Sequence, residues 1–352
     1  MPPDKEKSYN PTVNFLRILS ILGVIFIHTT TLTLEYSHYD IPRLSFSLFL
    51  NQIFRFAVPM FFLISGFVLE VNYKNKINII SYFKKRASRI ILPYIFWSII
   101  YYIFVFTKFN HSLFSYKFID VLLKGEASYQ LYFIPSLIIF YALFPFIHSF
   151  LNLIANKWIV IFLTIIQIRL LNYDYYHSPF LLDMPLRIAL LNIYMFAIGM
   201  IASHNQEKIL GFINSRKLLF TFFTVITAAF AYVESKNLYL AKYNIYYFYS
   251  QWKPLIFIYT ILLSGLLFTL NFKEKLSRFI NFISKLSFFV FFAHVLVIFL
   301  YRNILGDFLY SKSSEMVRNL WYDPALFVAV TLISFLFAYI AHLIPKLRIV
   351  TG

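Results

Sequence analysis

The chain has no cysteine, so disulfides, thiolate nucleophiles and thiolate metal sites are excluded within it. No metal site of any kind is expected. Charge is scarce too: 13% of the 352 residues are Asp, Glu, Lys or Arg, against roughly 25% in soluble globular chains. Only 8 glycines occur, none in a phosphate-cradling loop or a dinucleotide-binding arrangement, so nucleotide hydrolysis is not expected. Repeats and low-complexity linkers are missing as well, which points to one domain.

What the chain does hold is apolar and aromatic. Hydrophobic residues make up 60%, with 44 Phe and 27 Tyr, more aromatic surface than a compact soluble core of this length can bury but suited to lipid-facing and interfacial positions. The formal charge of +17 would suit a nucleic-acid partner. That partner is not expected, because the charges sit mainly between apolar spans and largely on one side of them.

Crossing a hydrocarbon layer of about 30 Å takes roughly 20 apolar residues in a helix. Ten such runs are expected, at about 12–34, 45–70, 88–107, 130–151, 156–173, 185–203, 216–234, 254–271, 283–301 and 323–345. The predicted fold is therefore all-α, a polytopic integral membrane bundle of about ten transmembrane helices. Breaks between runs are read at Asn75-Lys76, Tyr173-Asp174, His204-Asn205 and the Lys273 to Arg278 stretch. Lys74, Lys76, Lys84, Lys85, Arg86 and Arg89 cluster between the second and third runs, so the positive-inside rule places both termini in the cytoplasm. The polar residues Met1 to Asn10 lack the pattern of a cleaved signal, and the first run is read as a retained helix. The domain division is 1–11 as a cytoplasmic tail, 12–345 as the membrane domain and 346–352 as a second cytoplasmic tail.

A cation at the centre of a membrane helix costs about 2.5–3.5 kcal/mol on insertion scales, so each one needs a reason. Arg17 and His28 lie eleven residues apart, which at about 100° per residue returns to one helix face with a rise of roughly 16 Å. One face of the first helix thus carries a guanidinium and, further along, an imidazole able to exchange a proton near neutral pH. The bland alternative is a packed His with Arg17 snorkelling to lipid phosphate. Arg55 falls near mid-span and must face the bundle interior or a wet cavity. Ser65 and Gly66 are read as close-packing residues. Arg86 and Arg89, spaced i and i+3, form either a phosphate grip or an anchor on anionic lipid. His294, among aromatics, reads equally as a packed core residue or a second active-site group. His38, His111, His148, His177, His204 and His342 carry no readable signal.

These elements, taken in order, resemble the acyltransferase-3 family of membrane acyltransferases. The resemblance rests on Arg17 with His28 in the first helix, the Phe61 to Phe67 run (FFLISGF), Arg86 to Arg89 (RASR), and Ser287 to His294 (SFFVFFAH). Weaker echoes are Leu131-Tyr132-Phe133 with Tyr141 and Pro145, and Ala197-Ile198-Gly199. Tyr132 stands where Trp is frequent, and Phe291 where Tyr is frequent. The Arg55 and Val58-Pro59 version of the second helix is similar to the branch that modifies exopolysaccharides.

The resemblance implies an O-acyltransferase, most simply an O-acetyltransferase, of the bacterial plasma membrane. It would move an acyl group from cytoplasmic acyl-CoA to a hydroxyl of a surface glycan or exopolysaccharide. No cofactor is bound permanently on this reading; acetyl-CoA is a co-substrate. It further implies His28, Arg17 and His294 as catalytic residues and Arg86, Arg89 and Arg55 as groups that hold the CoA. The competing expectation is an exporter or flippase of a polysaccharide or lipid-linked glycan, and a third is a structural or sensing membrane protein.

Overall fold

The computed structural model describes residues 10–36, 41–74, 77–109, 118–176, 184–240, 250–316 and 320–347. Among them every regular element is helical. The expected break at Asn75-Lys76, along with His38, His111, His177, most of the N-terminal tail and the last residues of the C-terminal tail, lies outside the described residues.

Among the described residues eight helices are long and apolar enough to cross a membrane, and each coincides with an expected run. Two further apolar helices, Phe133–Ser149 and Pro254–Phe268, are 17 and 15 residues long, short of the roughly 20 that a hydrocarbon layer asks for. We number the helices that matter to the site in chain order: α1 (Pro11–Tyr36), α2 (Ile41–Ile53), α3 (Ala57–Tyr73), α4 (Ile79–Arg86) and α5 (Leu92–Phe109). After these come α6 (Phe118–Lys124), α7 (Phe133–Ser149), α8 (Leu151–Ile154), α9 (Lys157–Tyr176) and α10 (Met184–His204). The last five are α11 (Gln206–Ser215), α12 (Lys217–Leu240), α13 (Pro254–Phe268), α14 (Glu274–Met316) and α15 (Tyr322–Leu343).

Helix α1 is the centre of the bundle and packs against α2, α3, α13, α14 and α15. Helices α9, α12 and α15 lie at the periphery, where Phe162, Leu218, Phe222, Val225 and Leu332 stay exposed. Such residues suit a lipid solvent rather than water. The tightest contact joins α3 to α10. A β-carbon on Gly66 would overlap the Phe196 carbonyl oxygen, and one on Gly199 would overlap that of Leu63. Each glycine therefore lets the partner backbone approach as no other residue could, in keeping with the packing role expected of Gly66.

Three boundaries differ from those expected. Tyr173 and Asp174 lie inside α9, because Asp174 accepts two hydrogen bonds from Arg187 at 2.8 Å and needs no loop to satisfy it. The Lys273 to Arg278 stretch opens α14 instead of separating two elements; its charged residues form the first turns of a 43-residue helix. Lys84 to Arg89 likewise belong to helix rather than loop, since α4 passes through a π-helical turn, Ala87–Ile91, into α5. Pro93 lacks the N–H that would close on the Arg89 carbonyl, which is the local reason for the wider turn. Similarly, Pro59 has no N–H for the Arg55 carbonyl, and the chain passes from α2 to α3 through the 3-10 turn Phe54–Phe56.

Candidate active site

The expected site residues gather in two groups of polar side chains, one toward each end of α1. The first surrounds a cavity of about 840 Å³ lined by Arg17, Arg86, Arg89, Arg278 and Lys285, with Asn14, Asn281, Ser65, Ser284 and Ser287 between them. No carboxylate is among its lining residues. Five cations and no lining carboxylate give it a composition suited to a polyanion.

The cations are held by distinct means. Arg17 donates to Asn14 Oδ1 at 3.2 Å; Asn14 in turn donates to Asn281 at 2.9 Å and accepts from Ser284 at 3.1 Å, so α1 and α14 fix one guanidinium jointly. The Arg86 guanidinium lies 5.8, 5.9 and 5.5 Å from the rings of Tyr73, Tyr82 and Tyr141. A cation within about 6 Å of an aromatic face is attracted to it. Tyr82 is itself fixed by donating to the Tyr141 carbonyl at 2.8 Å. The π-helical turn carries Arg89, which is exposed at the rim. Arg86 and Arg89 therefore do not stack as i, i+3 neighbours of a regular α-helix, yet both reach the same cavity.

The second group is an imidazole pair. The rings of His28 on α1 and His294 on α14 lie 5.4 Å apart and 26° from parallel. His294 is fully buried, and its Nδ1 is 3.1 Å from the Val290 carbonyl. A carbonyl only accepts, so the proton belongs on Nδ1 and Nε2 presents a lone pair. That buried Nε2 has no hydrogen-bond partner among the described residues. His28 is half-buried. On its other side the ring of Tyr129 lies 4.7 Å away, and Tyr129 is 47% exposed, so one wall of the pair opens outward.

Between the cavity and the imidazoles stand Phe61, Phe133 and Phe291. All three line the cavity. Phe133 is 5.7 Å from Phe61 and 5.4 Å from Phe291, whose ring is 6.2 Å from that of His294. The arrangement is a cationic cavity, a packed aromatic layer and a pair of imidazoles in sequence along α1 and α14.

Of the expected site residues, Arg17, Arg86 and Arg89 are brought together at the cavity, and His28 and His294 at the pair. Arg55 goes elsewhere: it is not among the cavity residues, because the 3-10 turn that carries it lies toward the His28 end. There it donates to Asn51 Oδ1 at 2.8 and 2.5 Å. Asn51 also donates to the Ile27 carbonyl at 3.2 Å and the Thr30 hydroxyl at 2.9 Å, which ties the guanidinium to the turn of α1 that bears His28.

Sequence reasoning missed four participants. Arg278 falls in the stretch read as a break, Lys285 lies within the expected 283–301 run without being singled out, and Tyr129 carries no motif. Tyr101 on α5, an ordinary residue of an apolar helix, donates its hydroxyl proton to the Phe292 carbonyl at 2.5 Å and accepts from the Leu296 amide at 3.0 Å. The i to i+4 spacing of Arg278 with Glu274 and the seven-residue spacing to Lys285 were the available signals for the first two.

The fold and the site together define a multi-pass membrane protein with a polycationic cavity and, beyond an aromatic layer, a pair of imidazoles. The chain belongs to the acyltransferase-3 family: the model of that acyltransferase domain matches residues 10–340, nearly the whole length. It is therefore a membrane acyltransferase. No curated protein and no solved structure matches the chain.

Proposed function

We propose that the protein transfers an acetyl group from cytoplasmic acetyl-CoA to a hydroxyl of a cell-surface polysaccharide, with both termini and the cavity on the cytoplasmic side of a bacterial plasma membrane. The observation that carries this reading is the order of the three parts. A polyanionic carrier is met by Arg17, Arg86 and Arg89 at one end of α1, and the only wholly buried histidine, among the described residues, faces His28 toward the other. An acyl-pantetheine arm is narrow and uncharged, as suits the side of the cavity lined by Phe61, Phe133 and Phe291.

In this mechanism His28 takes the proton of the acceptor hydroxyl, and the oxygen attacks the thioester carbonyl carbon. The C–O bond forms, the C–S bond breaks, and the CoA thiolate leaves and recovers the proton from the imidazolium. His294 offers its Nε2 lone pair to the same proton or to the charged His28. Arg55, bonded to Asn51, sets the electrostatics of the His28 turn rather than holding the carrier. Arg17 stabilises negative charge on the carrier along its path.

The test is the acyl-ester content of surface polysaccharide in cells carrying the wild-type protein, His28→Ala, or no protein, at matched membrane levels. Esters should vanish in the last two while polymer still reaches the surface. If esters persist and surface polymer falls, export is the function and acyl transfer to glycan is not.

A further inference from the structure

Arg278 and Lys285 are seven residues apart on α14, two helical turns, so they project from one face. Asn281 and Ser284 lie on that same face and also line the cavity. The cavity thus has two cationic walls: Arg17, Arg86 and Arg89 from α1 and the α4–α5 segment, and Arg278 with Lys285 from α14. Among the described residues Arg278 pairs only with Glu274, at 3.9 Å, an exposed contact one turn earlier on the same helix. Such a pair holds its members loosely.

An acyl-CoA carries two separate anionic centres. One is the diphosphate; the other is the 3′-phosphate of the ribose, a monoester with a charge of about −1.5 to −2 at neutral pH. Three guanidiniums are ample for the diphosphate. The second wall, with two cations and the side-chain NH2 of Asn281, whose Oδ1 is already engaged by Asn14, matches a second phosphate in charge and in donors. We propose that Arg278 and Lys285 receive the ribose 3′-phosphate, so that the protein distinguishes CoA thioesters from their 3′-dephospho counterparts. The inference rests on the acyl-CoA reading above. A phosphate monoester on a lipid headgroup offers the same chemistry, and the experiment separates the two sources.

Binding of CoA and of 3′-dephospho-CoA is measured on the purified protein in nanodiscs of zwitterionic lipid, for wild type and for the double variant Arg278→Ala with Lys285→Ala. Both side chains are exposed on a helix surface, so the variant should keep the wild-type thermal midpoint. Wild type should prefer CoA by about tenfold or more, and the variant should lose most of that preference by weakening for CoA alone. Equal weakening for both ligands would mean a diffuse field and overturn the proposal. So would a wild type that binds the two ligands equally, although acyl-CoA would then remain the donor. Binding of neither ligand would remove the donor reading itself. In a parallel arm phosphatidic acid is added to the nanodiscs. If it competes with CoA in wild type but not in the variant, and the CoA preference is unaltered by the substitutions, the wall serves a lipid headgroup instead.

Discussion

The Tyr101 hydroxyl stands in the backbone ladder of α14, donating to the Phe292 carbonyl at 2.5 Å and accepting from the Leu296 amide at 3.0 Å. Those two groups are i and i+4, partners that would otherwise close on each other, and His294 lies between them. A side chain inserted into the ladder bends a helix locally. Tyr101 thereby anchors the turn that presents His294 to His28, which makes it a candidate positioning residue. Tyr101→Phe keeps the ring and removes the bridge. Turnover should fall about tenfold, the effect of roughly 1.4 kcal/mol on a barrier, with the KM for acetyl-CoA unchanged. Steady-state kinetics on membranes decide it: unaltered turnover per folded molecule would reduce the bridge to packing.

His294 gives a prediction in which stability and activity move in opposite directions. Its Nε2 is buried without a partner among the described residues, and an unpaired buried polar atom costs about 1–3 kcal/mol. His294→Phe fills the site with an apolar ring amid Phe291, Phe292 and Val290. Ester formation should drop by about a hundredfold, within the range of lost proton-transfer assistance, while the thermal midpoint in detergent holds or rises. A fall in both would assign His294 to the core alone.

Much of this architecture is legible in the sequence because the bilayer imposes a simple rule. Each expected apolar run coincides with a helix, since an apolar stretch bounded by charge has no other low-cost arrangement in lipid. Arg17 and His28 could be placed on one face from spacing alone. What spacing does not carry is the partner across the bundle. The approach of His294 to His28 depends on α1 packing on α14, and the removal of Arg55 from the cavity depends on the break at Phe54–Phe56. Arg278 and Lys285 look like ordinary positive-inside charge because exposed basic residues at a helix end are also lipid anchors. Only their shared cavity with Arg17 separates the two roles.

Helix pair α3–α10 should fail with the smallest possible insertion. The Cβ of Gly199→Ala would collide with the Leu63 carbonyl oxygen, and backbone cannot swing aside as a flexible side chain can. Overpacking typically costs about 1–3 kcal/mol and more against rigid atoms. Because α3 also carries Phe61 and Ser65 at the cavity, both folded yield and activity should be lost together. Gly211→Ala is the control: nothing lies within 4 Å of its added carbon, and in mid-helix the change should stabilise by about 0.5–1 kcal/mol. Equal tolerance of both substitutions in a thermal-shift assay would contradict the close approach.

The Arg55–Asn51 contact sets the last prediction. A buried guanidinium whose acceptor is deleted keeps its desolvation penalty and loses charge-assisted bonds of about 1.5–3 kcal/mol. Asn51→Ala should therefore destabilise the protein by about that amount and impair ester formation, because the Asn51 amide also holds the Ile27 carbonyl and the Thr30 hydroxyl on either side of His28. Asn51→Asp separates the two effects. Its carboxylate accepts from Arg55 and restores stability, but it cannot donate to α1. If stability recovers while turnover does not, the bond from α2 to the His28 turn matters to the chemistry; recovery of both would leave Asn51 as a counterpart of Arg55 only.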